Sequence, residues 1–211
     1  MNRMKIKTFL LLNSMAAALA LSLSASAADA STNSPAPEFK NDPDKSMAAA
    51  HESFIKGDTK KAAADIDSAA AYIKKQSDKV GESSKAGMKK AGDELDKLGD
   101  GIKNGTVKSG DEMKKTFAKV DHQVASCWHK TAADSKSAGK DTTAALKKAG
   151  NALQNSAKWS GQQIGDGTQA SIKAMRKAGK ATGDAAKASA DEVDKWFKDI
   201  GDGIDNLGKK L

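Results

Sequence analysis

The chain has 211 residues, a formal charge of +8, three prolines, three histidines and one cysteine. A single cysteine excludes an internal disulfide framework, and the alternation of both charge signs along the chain excludes the gathered Lys/Arg face that nucleic-acid binding requires. Leu, Ile, Val and Phe number only 23 after residue 27, a content that predicts a slender, alanine-packed assembly of marginal stability.

The first residues fall into three parts: basic Arg3, Lys5 and Lys7, an apolar run from Phe9 to about Leu23, and the small residues Ala25-Ser26-Ala27. That order is a secretory signal peptide over 1–27, with cleavage expected after Ala27 and Ala30 as the alternative. The apolar run is short for a membrane span, which takes about 20 residues. Removing it takes three bases and no acid, leaving 32 Lys+Arg against 27 Asp+Glu. The mature chain is expected to be periplasmic or secreted.

All three prolines, Pro35, Pro37 and Pro43, lie in 28–45, which reads as a flexible linker. Beyond it, proline-free sequence rich in Ala and Lys with no strand-like alternation predicts an all-α fold, an elongated bundle of five to six helices. Met47, Ala50 and Phe54, then Ala62, Ile66, Ala69 and Ile73, recur at helical spacing around Gly57-Asp58. This predicts an αα-hairpin over 46–76, the glycine stopping one helix and the aspartate capping the next. The run from Ala50 to Ala70 through that turn resembles TPR-like hairpins and the opening hairpin of YfdX-type exported bacterial helical proteins. The resemblance covers about 30 residues, and it implies a periplasmic protein connected with stress tolerance.

A helix over 82–102 presents Met88, Leu95, Leu98 and Ile102 on one face. Next, 111–159 contains no proline and carries Met113, Phe117, Val120, Val124, Trp128, Leu146 and Leu153 at helical spacing. It reads as the long central helix, with Asp111 as its cap and with a kink near Gly139 and a straight rod equally compatible. A turn near 161–168, a helix over 168–178 and an amphipathic helix over 184–211 complete the chain. Lys-Ala-Gly recurs at 85–87, 90–92, 148–150 and 177–179, and Asp-Glu-Leu-Asp-Lys at 93–97 is echoed at 191–195. Duplication and low-complexity drift account for these echoes equally well.

Chemistry-bearing residues are few. His122 and His129 are the best ligand candidates, but seven residues place their Cα atoms roughly 10.5 Å apart along a helix, too far for one ion. Cys127 points elsewhere and reads as a buried small hydrophobe. The sequence lacks His-Glu-x-x-His, Cys-x-x-Cys-His and Gly-x-Ser-x-Gly, so neither cofactor, nor metal, nor catalytic residue is expected. Trp128, Trp196, Phe197, Ile200, Ile204 and Leu207 form the candidate interaction or core face. The polar side of the last helix carries six acids against four lysines, so docking inside the protein is favoured over peripheral membrane contact.

The expectation is an exported, non-enzymatic helical protein, an accessory or stress-protective one, acting by contact with a protein partner or by self-association. The alternative is an LEA-like or apolipoprotein-like chain, disordered in water and helical on membranes or on drying.

Overall fold

The computed structural model describes residues 37–39, 42–178 and 188–211. Among these the chain forms seven α-helices and no strand, an all-α bundle. They are α1 (Asp44–Ile55), α2 (Thr59–Gln76), α3 (Glu82–Lys103), α4 (Gly110–Ser137), α5 (Thr143–Ser160), α6 (Asp166–Ala178) and α7 (Ala190–Gly208). The expected signal peptide and the expected start of the last helix at 184 lie outside the described residues.

Local chemistry sets the boundaries. Gly57 takes a left-handed φ of +81° beyond the end of α1, and Asp58 accepts the Lys61 N–H at 3.0 Å to open α2. The cap of α4 is Ser109 rather than the expected Asp111: its hydroxyl accepts the Glu112 N–H at 3.2 Å, while Glu112 reaches back to the Lys108 N–H at 3.0 Å. Ser109 prevails because its backbone is extended, as a cap requires, whereas Asp111 already lies inside the helix. Ser189 and Glu192 form a reciprocal capping box at the start of α7.

The helix expected over 111–159 is two helices. Gly139 adopts φ +65°, the Lys140 N–H closes onto the Ser135 carbonyl at 2.9 Å, and α5 returns along α4. A straight rod would leave Leu146 and Leu153 in water; the reversal buries both completely. Antiparallel neighbours are the rule. Lys74 pairs with Asp93 and Asp96 while Lys103 pairs with Asp67, which sets α2 against α3. Gln123 donates to the Gly87 carbonyl and Ser83 to Asp134, which sets α3 against α4.

Helix α4 is central, packing against α1, α3, α5 and α7. Met113, Phe117 and Val120 are buried along it, and the Phe117 ring meets that of Trp159 with centroids 4.8 Å apart. Small residues let the backbones approach. A Cβ on Gly87 would stand 2.8 Å from the Cys127 sulfur, and one on Gly150 would press on Ile172, Ile200 and Met175 at 3.0–3.2 Å. Three of the Lys-Ala-Gly echoes thus end in glycines at helix contacts, since Gly92 faces Lys74 and Ala70 in the same manner. Part of the expected linker is held as well: Phe39 stacks on Trp159 at 4.6 Å, because a lone aromatic there gains by leaving water.

Candidate functional site

A cavity of about 150 Å³ opens between the start of α1 and helices α2, α4 and α5, with Met88 of α3 contributing to its wall. Ile73, Met88, Val124 and Ala152 supply apolar surface. Polar groups occupy its two ends.

The inner end holds two carboxyl groups. Asp44 is the first residue of α1 and 4% exposed; Asp121 lies on the buried face of α4, four residues after Phe117 and seven before Trp128, and is 1% exposed. Two donors from α5 fix Asp44, the Asn155 Nδ2 at 2.7 Å and the Trp159 Nε1 at 3.2 Å. Asp121 Oδ2 receives no N–H or hydroxyl hydrogen bond. Burial raises the Asp121 carboxyl well above the ordinary range, and the Asp44 charge and its hydrogen bond raise it further. Burial also raises Asp44, opposed by its bonds to Asp121, Trp159 and Asn155. Asp121 is therefore the protonated member and donates to Asp44, which the tryptophan and asparagine donors hold as the anion. The buried pair carries one negative charge, and no described lysine, arginine or histidine lies in ion-pair contact with it; a third carboxyl, that of exposed Asp42, also lines the cavity and accepts the Ser46 hydroxyl at 2.9 Å.

The outer end is basic. Lys148 lies one turn before Asn151 and Ala152 on α5, with its Nζ 3.8 Å from the centre of the Trp128 ring. Partial burial lowers its pKa, with Lys79 adding to the effect. Asn151 gives its carbonyl oxygen to Arg176, which donates to it from Nε at 3.1 Å and from Nη2 at 2.7 Å, so its amide hydrogens are left for the cavity. Tyr72, 40% exposed and the one large exposed apolar side chain among the described residues, stands at the mouth.

The histidines are placed elsewhere. His122 Nε2 donates to the Ile204 carbonyl at 2.8 Å and His129 Nε2 to that of Phe197 at 3.0 Å, two rungs seven residues apart that run α7 antiparallel to α4. Each carbonyl lies one turn before a glycine, Gly208 and Gly201, whose missing Cβ admits the ring. Trp128, Trp196, Ile200, Ile204 and Leu207 are buried and Phe197 is half-buried beside the His129 ring at 4.2 Å. Cys127 is buried without a disulfide, and burial raises its thiol pKa. No cluster of three His, Cys, Asp or Glu side chains among the described residues is arranged to hold a metal ion.

Sequence reading missed Asp44, Asp121 and Lys148. A usable signal existed for Asp121 alone, an acid in register with the apolar stripe Phe117, Val124 and Trp128. Asp44 and Lys148 stand in polar surroundings in the sequence, and only tertiary packing brings them to the same space. Comparison with known proteins returns no matching family model, no similar curated protein and no similar solved structure. The functional reading therefore rests on the chemistry of the cavity.

Two carboxyls sharing a proton can bind a cation, or serve as an acid–base pair. The space beside them has the size of a cavity that takes a benzene-sized molecule, which suits a small ligand better than a polymer substrate.

Proposed function

We propose that this chain is an exported, non-enzymatic helical binding protein, an accessory or stress-protective protein of the cell envelope, whose binding site is the cavity between α1, α2, α4 and α5. The observation that carries this reading is the convergence of fixed polar groups on an apolar-walled cavity built by rigid helices, the usual form of a small-ligand site. Contact with a protein partner is a second use of the same face, because Tyr72 is exposed at its mouth. The surface-seeking alternative is less well supported: the apolar face of α7 is covered by α4, α5 and α6, and no described helix is long and apolar enough to cross a membrane.

The test is thermal protection of the mature protein by a panel of small cations, anions, zwitterions and neutral molecules, compared with Ala152→Leu, which fills the cavity wall. A compound class that raises the melting temperature of the parent and not of the variant supports the cavity as the site. Equal shifts in both proteins across the whole panel would overturn it.

A further inference from the structure

The cavity has an acid at one end and a base at the other, and neither finds its counter-charge within the protein among the described residues. Asp121 and Trp128 are seven residues apart on α4, and Lys148 and Asn155 are seven apart on α5, so each wall of the cavity runs roughly 10 Å from its acidic to its basic end. Because α4 and α5 are antiparallel, Asp121 faces the Asn155 end and Trp128 the Lys148 end.

We propose that the cavity binds a small ω-amino acid, a zwitterion whose ammonium meets the Asp44 and Asp121 carboxyls and whose carboxylate meets Lys148 and the Asn151 amide. This rests on the reading of the cavity as a ligand site and adds the ligand class. The ammonium supplies three donors. Asp121 is enclosed and shares its proton with Asp44, and the anionic Asp44 carries a full negative charge with no counter-cation, so it is the charge of the pair that gains from the ammonium. A buried carboxylate without a counter-cation is costly, and a cationic head removes that cost. The intervening methylenes lie along Ile73, Met88, Val124 and Ala152. At the outer end Lys148 rests on the Trp128 ring, a position that keeps its charge at the mouth without consuming it in an ion pair. A simple amine would satisfy only the inner end, and a simple carboxylate would face the acid pair.

The lengths bracket the choice. A chain of few carbons leaves one end unmet, and one approaching the 10 Å wall meets both. The experiment is calorimetric titration of the mature protein at neutral pH with β-alanine, γ-aminobutyrate and ε-aminocaproate, and with n-butylamine and n-butyrate as single-charge controls. The expected result is stoichiometric binding of at least one ω-amino acid, with each control about tenfold weaker or worse, the loss of one set of charge-assisted hydrogen bonds. Asp44→Asn, which keeps the shape and removes the negative charge of the carboxyl pair, should weaken the ω-amino acid by about the same factor. Lys148→Met should bring it down to the level of the amine. Thermal melts of both variants show that they remain folded.

An amine that binds as tightly as every ω-amino acid, or a Lys148→Met variant that keeps full zwitterion affinity, refutes the proposal. If neutral or anionic compounds protect the parent but not Ala152→Leu while ω-amino acids do not bind, the ligand class is wrong and the cavity reading stands. If nothing protects the parent beyond Ala152→Leu, both fall.

Discussion

Helix α7 is held to α4 by a ring that needs a missing methyl group, and this makes the effect of one substitution depend on another. A Cβ on Gly201 would lie 3.2 Å from both Cε1 and Nε2 of His129, tighter than an ordinary contact, while Nε2 donates to the Phe197 carbonyl at 3.0 Å. Gly201→Ala gains about 1 kcal/mol of helix propensity in the interior of α7. Against that, the ring must shift, weakening a hydrogen bond whose net value is about 0.5–1.5 kcal/mol. In the parent protein the two effects cancel to near zero. In a His129→Ala background nothing opposes the propensity gain, and the same substitution stabilises by about 1 kcal/mol, or about 2–4 °C in melting temperature for a chain of this size. His129→Ala alone should cost about 1–3 kcal/mol, the hydrogen bond together with the ring contact to Phe197. Urea denaturation of the four proteins at equal m-value gives the cycle. Additivity within about 0.3 kcal/mol, the behaviour of independent sites, would show that the ring does not lie on Gly201 and would sink the account of how α7 docks.

Other outcomes follow from buried ionisable groups and packing. Asp121 and Asp44 bind protons more tightly in the folded protein than in the unfolded chain, so stability falls as pH rises from the ordinary carboxyl range through their raised values. Asp121→Asn should flatten that fall and raise the melting temperature at neutral pH relative to its effect in acid; a variant equally changed at both refutes the shared proton. His51 is fully buried with only a poorly formed hydrogen bond, to the Gly110 backbone, and burial, with Lys114 next, lowers its pKa. The folded state therefore resists protonation, and stability is lost as pH falls from the ordinary histidine range through the lowered value. His51→Leu should remove that acid-side loss and add about 1–3 kcal/mol by deleting a poorly partnered polar group, which a pH series of urea melts would register. Leu153→Ala, at a fully buried contact of α5, should cost about 2–5 kcal/mol; a loss under about 1 kcal/mol would mean that the packing near Gly203 is loose.

The all-α class was legible in the sequence because it follows from local periodicity: Met47, Ala50 and Phe54, or Met88, Leu95 and Ile102, declare a buried face without reference to the rest of the chain. The Gly57-Asp58 turn was legible for the same reason. Where neighbouring residues compete, local pattern does not decide. Ser109 and Asp111 both offer a cap, and backbone conformation chose the serine. Gly139 was compatible with a kink or a straight rod; the chain instead reverses there, because the apolar face of α5 is covered chiefly by α4, with α6 and α7 adding to it.

The candidate site was hidden for a different reason. His122, Cys127 and His129 attract notice by residue type, yet what they do is settled by α7, whose glycines at 201 and 208 admit the rings to its backbone. Asp44, Asp121 and Lys148 come from three separate segments, and the sequence does not say that a carboxyl at the start of α1 will meet another on α4. By itself the sequence determined what is periodic, the helices and their apolar faces, since a helix turns every 3.6 residues whatever surrounds it. Only the tertiary structure decided which polar groups were taken out of water together, because burial and charge pairing depend on distances between helices that no local pattern records.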